Sequence, residues 1–276
     1  MDNAALGWHT FGLSTAKIML EGGFIRTAER TLPWVTIYAV IYFVARGLGP
    51  WMFSACAKLD PPKLSLWAAY VNSMVNAFVI TPLAFQTGFH AAGTGFAESN
   101  PLSMNCCYAF LGYTGWDTIV MLWHRNDWPN MGMYYCHHAA SILGWGMNAV
   151  TGYGHNIGIP ALLFEATGPF TNGRWFLSLH GMKDTTLYLV NGIMMLVSFF
   201  ALRVCFNIWL LYDRFWVQQE EFRSLPEWMQ WLLLILFFIN LALQLSWFQK
   251  IVSGALALLF PGKGKKDAKA TAKKKK

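Results

Sequence analysis

The chain has 276 residues, of which 55% are hydrophobic and 13% are charged, whereas about 25% charged residues is usual for soluble domains. Several apolar runs approach the roughly 20 residues that cross a bilayer. The composition therefore excludes an ordinary soluble domain and indicates an integral membrane protein. The N-terminal residues lack the apolar core of a signal peptide, so the first spanning helix is expected to direct insertion.

The basic charge is concentrated at the C-terminus, in the run GKGKKDAKATAKKKK, which accounts for much of the net charge of +7. A lysine run of low complexity cannot pack into a core and is predicted to be disordered. No basic folded surface accompanies it, so nucleic-acid binding is not expected. Anionic lipid on the cytosolic side of a membrane would attract it. The five cysteines include no CxxC motif, and reduced, buried thiols are their expected state.

The hydropathy pattern predicts an all-α, multi-pass transmembrane helical bundle with about seven spans. The fifth is irregular, because Gly168, Pro169 and Gly173 interrupt its apolar run. A broken helix in a membrane is tolerated where it lines a cavity, and a plain helix–loop boundary is the alternative. The predicted spans cover residues 33–49, 64–85, 102–123, 131–150, 156–179, 185–211 and 228–248.

Lysine and arginine in the loops indicate the orientation of the bundle. The loops after the second and fourth spans contain neither residue, as expected for the lumenal side, which places the C-terminus in the cytosol. The cytosolic loops then hold Arg46, Lys58, Lys63, Arg125, Arg174 and Lys183. The opposite side holds Lys17, Arg26, Arg30, Arg203, Arg214 and Arg223.

Polar residues follow one face of every predicted span except the first, whose run WVTIYAVIYFVA predicts a helix that faces lipid all round. Polar groups in a membrane need partners inside the bundle. We therefore expect six helices around a polar interior, with the first helix packed outside them.

The fourth span contains two adjacent histidines, His137 and His138, and Ser141 and Asn148 continue the helical face of His137. Ionisable residues within a membrane indicate a functional site. Together with Asp117 and Glu165, the histidines form the candidate catalytic set, in which a histidine would act as the base and a carboxylate would orient it. The alternative is a structural hydrogen-bond network that holds the bundle closed.

A metal site is not expected, because adjacent histidines on a helix point about 100° apart and the chain has no HxxH or HxxxH spacing. The other polar residues of the stripes are predicted to contact lipid inside the bundle. This candidate lipid-binding set comprises Tyr113, Ser141, Asn148, Asn172, Arg174 and Asn191. For Arg174, snorkelling to the lipid headgroups is the alternative.

Four stretches resemble the TLC-domain family, which includes the ceramide synthases, the translocation-associated TRAM proteins and smaller TLC-domain proteins of lipid metabolism. They are FLGYTGWD (110–117), YYCHHAASI (134–142), LLFEATGPFTNGRWFL (162–177) and YLVNGIMMLVSFFALRV (188–204). The resemblance implies a six-helix TLC-type barrel that opens to the cytosol, usually in the endoplasmic reticulum. It divides the chain into an N-terminal segment with a peripheral helix (1–63), a TLC domain (64–249) and a disordered cytosolic tail (250–276).

The resemblance also implies a role in lipid homeostasis, in which the bundle binds or handles long-chain acyl lipids or sphingolipids without a cofactor. The alternative is an acyltransferase of ceramide-synthase type, with long-chain acyl-CoA as co-substrate. Ceramide synthases continue from their double histidine to a His-Asp pair, which this chain lacks. A third hypothesis, a protein-translocation accessory, rests on analogy of fold alone.

The last four residues are lysines and resemble the cytosolic dilysine signal of endoplasmic-reticulum membrane proteins. Such a signal is an address that a coat protein recognises. A generic basic segment that binds anionic lipid is the alternative.

Overall fold

The computed structural model describes residues 3–90, 95–128 and 130–259, and within them the side chains of residues 22–88, 95–128 and 130–257. This part of the chain is all-helical, as the sequence predicts. Its helices are α1 (Asn3–Met52), α2 (Pro61–His90), α3 (Pro101–Trp123), α4 (Gly132–Thr151), α5 (His155–Ala161), α6 (Gly168–Leu179), α7 (Thr186–Val217), α8 (Gln219–Arg223) and α9 (Glu227–Leu259).

Four of the described helices are long and apolar enough to cross a membrane. These segments are Gly22–Met52, Pro61–Gly88, Thr186–Val217 and Glu227–Ala257. α3 and α4 also fall on predicted spans, but polar residues such as Asp117, His137 and His138 interrupt their apolar sequence. The fold is therefore that of a helical membrane protein, whose interior helices are more polar than its outer ones.

The first helix differs from the prediction, because α1 passes through Pro33 without a break and one of its faces is buried. Tyr38 and Tyr42 are 1% and 2% exposed. The Tyr38 hydroxyl donates to Asn76 Oδ1 at 3.2 Å, and Asn72 Nδ2 donates to the Tyr38 carbonyl at 3.1 Å. The prediction that this helix faces lipid all round is wrong, since a buried tyrosine contributes a polar hydroxyl that an apolar pattern conceals.

The fifth segment is irregular at a different place from the predicted one. Its first helix, α5, passes into a 3₁₀ helix at Leu162–Thr167, and α6 begins at Gly168 with Pro169 in its first turn. Proline is tolerated there because its missing N–H would have no partner in the helix. Gly173 lies inside α6 rather than at a break. In this turn, the Phe164 carbonyl accepts hydrogen bonds from Thr167 Oγ1 and from Arg203 Nε of α7.

The last two long helices also extend beyond the predicted spans. α7 is π-helical at Phe199–Phe206 and at Tyr212–Val217, where its turns are wider than those of an α-helix. α9 continues to Leu259, because the apolar sequence does not end at the predicted span boundary. The predicted start of the tail at residue 250 therefore falls inside a helix. The terminal lysines lie outside the described residues.

The apolar core consists of neighbouring clusters. One is centred on α3 and includes Ile80, Phe110 and Leu162. A second is centred on α9 and includes Phe164, Leu233 and Phe237. Members of both clusters line the cavities described below, so the candidate site lies where these two clusters meet.

Candidate functional site

A cavity lies between α4, α5 and α9. Its empty volume is about 590 Å³, including open space at its mouth. Ser141 and Asn148 contribute polar atoms from α4, whereas Leu233, Leu236 and Phe237 form an apolar wall on α9. The cavity is thus a largely apolar space with polar groups along one side.

A second, smaller void adjoins the first, with an empty volume of about 250 Å³ that also includes open space. Four residues line both voids and so lie between them: His137, Trp145, Ala161 and Asn240. Glu165, Arg203 and Gln244 line only the smaller void. The two adjoining voids, together called the bundle cavity below, are therefore apolar over most of their walls and polar at the inner end, in the smaller void.

The inner end is built around an ion pair between Arg203 of α7 and Glu165 of the 3₁₀ turn, with 3.4 Å between Arg203 Nη2 and Glu165 Oε1. The two side chains are 11% and 14% exposed. Arg203 Nε also donates to the Phe164 carbonyl at 3.0 Å and to Thr167 Oγ1 at 2.7 Å. The arginine therefore fixes the irregular fifth segment against α7.

Hydrogen bonds extend this ion pair across the bundle. On one side, Asn76 Nδ2 donates to Glu165 Oε2 at 3.1 Å, and Asn76 in turn accepts from the Tyr38 hydroxyl. On the other side, Arg203 Nη1 donates to Gln244 Oε1 at 3.2 Å, and Gln244 Nε2 donates to Asn240 Oδ1 at 3.0 Å. A chain of polar contacts thus joins α1, α2, α7 and α9 and ends at the cavity wall.

The two histidines have different surroundings. His138 is buried, and its Nε2 lies 3.4 Å from Asp117 Oδ2. Its Nδ1 lies 3.1 Å from Thr118 Oγ1 and 3.4 Å from the Thr114 carbonyl. Because both ring nitrogens have polar neighbours on α3, His138 joins α4 to α3.

His137 lies on the cavity wall, and its ring contacts the rings of His138 and Trp247 edge to face, with centroids 5.7 and 5.4 Å away. Within the described part of the chain, its ring has no hydrogen-bond partner. The four candidate catalytic residues therefore form two pairs. His137 and Glu165 share the smaller void, and His138 and Asp117 lie behind His137.

The candidate lipid-binding residues are divided between two places. Ser141 and Asn148 line the bundle cavity. The others contact neighbouring helices instead, and none of them lines either void. The Tyr113 ring packs on Tyr38 at 5.4 Å, Asn172 donates to Ser73 Oγ at 2.9 Å, Arg174 lies 4.1 Å from the Tyr188 ring centroid, and Asn191 donates to the Phe170 carbonyl at 2.9 Å.

Arg203 was not among the site residues predicted from the sequence. The prediction that Arg203 lies in a loop is wrong. It is a buried partner of Glu165 and does not contribute to the charge of a loop. The signal that could have found it is its position inside the apolar run SFFALRVCF, where an arginine needs a partner in the bundle. Trp145 was also missed, because a tryptophan in a membrane helix is usually an interfacial or packing residue.

These features define a class, an all-helical membrane protein whose helices enclose an apolar cavity with a polar inner end. The chain belongs to the TLC-domain family, because the sequence profile of the TLC domain matches residues 64–253. The resemblance found in the sequence is thereby confirmed.

Two relatives are similar over part of their length. TLC domain-containing protein 4-B of Danio rerio is 27% identical over 154 residues, covering 53% of this chain and 57% of the relative. Topoisomerase I damage affected protein 4 of Saccharomyces cerevisiae (strain ATCC 204508 / S288c) is 30% identical over 109 residues, covering 36% of this chain and 38% of the relative. The matches thus span 57% of the first relative's length and 38% of the second's. No solved structure matches the chain.

Proposed function

We propose that this protein binds a long-chain lipid in the bundle cavity and thereby serves lipid homeostasis in the membrane. The observation that supports this is the chemistry of the two adjoining voids, which are apolar along α9 and polar at the inner end. From His137 to Asn148, its α4 wall rises roughly 16 Å at the α-helical rise per residue. That length suits an extended hydrocarbon chain. The resemblance to a family of lipid proteins supports the same proposal.

The proposed mode of binding places the hydrocarbon chain against Leu233, Leu236 and Phe237 and the polar head near His137 and Asn240. Burial of each methylene group contributes about 0.8 kcal/mol. Binding of the hydrocarbon chain requires no charged residue in the apolar part of the cavity. Most of the binding free energy is therefore expected to come from burial of the chain and to increase with its length.

Replacing Gly144 with phenylalanine is expected to abolish lipid binding, because a ring at this position enters the bundle cavity between α4 and α9. A Cβ at Gly144 would lie 3.6 Å from Leu236 Cδ1, so the backbone accepts a side chain while the ring fills the space beyond it. The measurement is covalent labelling of purified protein in detergent by a photoactivatable hexadecanol.

The matched control is Gly146→Phe on the same helix, where an added Cβ meets no atom within 4 Å. Gly146 does not line the cavity, so this variant should bind the lipid as the wild type does. Equal labelling of the wild type and both variants would show that lipid does not enter this space.

A second candidate function is acyl transfer from a long-chain acyl-CoA to a lipid amine or hydroxyl. The observation that favours it is the position of His137, whose ring faces the cavity, with the His138–Asp117 pair behind it. His137 would take the proton of the attacking amine or hydroxyl as it bonds to the thioester carbonyl carbon, and the carbon–sulfur bond would break to release the coenzyme A thiolate.

The two histidines should respond differently to substitution. His137→Ala should abolish acyl transfer with little change in melting temperature, because the ring has no hydrogen-bond partner among the described residues. His138→Ala should lower the melting temperature, because it leaves the Asp117 carboxylate without its neighbour at 3.4 Å. Purified variants are tested with labelled acyl-CoA and a panel of lipid acceptors, and by thermal unfolding. Wild-type transfer by the folded His137→Ala protein would exclude this histidine as the base.

We also propose a location in the endoplasmic-reticulum membrane, with seven spans, a TLC-type barrel and a cytosolic C-terminus. Removing Arg203 from the loop charges leaves fewer basic residues on the side opposite the C-terminus, and this supports the orientation. A cytosolic C-terminus would present the terminal lysines to a coat protein.

A further inference from the structure

We propose that the bundle cavity selects lipids with an uncharged, hydrogen-bonding head, such as a hydroxyl or an amide, over lipids with an ionised head. This inference rests on the proposed function, since it specifies the ligand of the same cavity. It follows from how the charges at the inner end are already paired.

The positive charge at the inner end, the guanidinium of Arg203, already has partners within the bundle. Each of the three nitrogens of Arg203 already donates a hydrogen bond, Nε to the Phe164 carbonyl and Thr167, Nη1 to Gln244 and Nη2 to Glu165. Its positive charge is balanced by Glu165 at 3.4 Å. An anionic head would therefore have to compete with Glu165 for this positive charge.

The negative charge at the inner end, the carboxylate of Glu165, has partners as well. Glu165 accepts from Asn76 through Oε2 and pairs with Arg203 through Oε1, so its charge is already balanced and a cationic head would have to compete with Arg203 for it. The neighbouring pair of Asp117 and His138 satisfies itself behind His137 and does not line either void. An ion that enters a space of low dielectric without a partner loses its hydration without compensation.

Neutral polar side chains belong to residues that line the cavity. Within the described part of the chain, the buried indole Nε1 of Trp145 has no hydrogen-bond partner, and it would lie 3.5 Å from a Cβ at Gly158, which also lines the cavity. A buried donor without a partner is costly, and a hydroxyl or carbonyl oxygen of a ligand would satisfy it. Asn240 and His137 add neutral donors and acceptors beside it. The preferred ligand is therefore a lipid with a long chain against the apolar wall and a small neutral head at the inner end of the cavity.

The test is competition against photoactivatable hexadecanol on the purified full chain in a nonionic detergent. The competitors are hexadecanol, hexadecyl sulfate and hexadecyltrimethylammonium, which share one chain and differ in charge. For the wild type, hexadecanol is expected to compete at about tenfold lower concentration than either ion, which corresponds to about 1.4 kcal/mol. Equal competition by all three would overturn the inference.

Two nearly isosteric variants change the charge of the inner end. Glu165→Gln leaves Arg203 unbalanced and should improve competition by hexadecyl sulfate about tenfold, and the new glutamine can still accept from Asn76. Asn240→Asp adds a negative charge, keeps the acceptor for Gln244, and should improve hexadecyltrimethylammonium by a similar factor. Because the two ions have large heads, these opposite changes separate an effect of charge from an effect of size.

The outcomes distinguish the inference from the proposed function. Unchanged selectivity in both charge variants would overturn the inference even if hexadecanol binds. Absence of labelling in the wild type, or labelling that Gly144→Phe does not reduce, would overturn the proposed function itself. Thermal unfolding identifies any variant that fails to fold. If one variant does, the inference is judged by the order of the three competitors on the wild type and by the result for the other variant.

Discussion

Arg203→Met is expected to destabilise the protein by about 3–5 kcal/mol, the usual cost of removing one partner from a buried ion pair. The substitution leaves the Glu165 carboxylate buried without its neighbour at 3.4 Å. It also removes the donor for the Phe164 carbonyl, Thr167 and Gln244. The irregular fifth segment would then lose its main polar attachment to α7. A lower melting temperature in detergent and lower abundance in the membrane are the expected measurements.

The double variant Arg203→Met with Glu165→Gln should recover much of this loss. It removes both charges, and the new glutamine can still accept from Asn76 Nδ2, which donates to Glu165 at 3.1 Å. Arg223→Met is the control, because Arg223 is exposed and surface substitutions usually change stability by less than about 0.5 kcal/mol. If the double variant melts as low as the single one, unpaired charge is not the cause of the destabilisation.

The local features of the site could be predicted from the sequence. The helical period of α4 placed His137, Ser141 and Asn148 on one face, and these three residues line the same cavity. The period is set by the backbone geometry of a single helix, so no knowledge of the other helices is needed. The same reasoning placed α4 within one residue of its observed bounds, Gly132–Thr151.

The pairing of the polar residues could not be predicted in this way. Glu165 and Arg203 come from different helical segments, and only the tertiary fold brings them together. The wide turns of the π-helical stretch that contains Arg203 have no signal in hydropathy. The distinct surroundings of His137 and His138 likewise depend on which residues of α3 and α9 face each ring.

The position of α1 was missed for a related reason. Its predicted span, residues 33–49, is mostly apolar, and one feature that attaches it to the bundle is a glycine on another helix. At Gly112 of α3, an added Cβ would overlap Trp34 Cβ and lie 2.9 Å from the backbone carbon of Trp34 and the backbone nitrogen of Val35. A close approach between helix backbones of this kind is typical of small residues in membrane proteins. It also brings the rings of Tyr38 and Tyr113 to 5.4 Å.

Gly112→Leu is therefore expected to force α1 away from α3 and to destabilise the protein by about 3 kcal/mol, near the upper end of the usual cost of overpacking. The obstruction is backbone, which cannot rotate aside as a flexible side chain would. The displacement should also break the hydrogen bond from Tyr38 to Asn76 and so disturb the chain of contacts that reaches Glu165. Gly115→Leu on the same helix is the matched control, because a Cβ there meets nothing within 4 Å and leucine favours the helix by roughly 0.5–1 kcal/mol over glycine. The measurement is the melting temperature of each variant. Equal melting temperatures for Gly112→Leu and Gly115→Leu would contradict the close packing of α1 on α3.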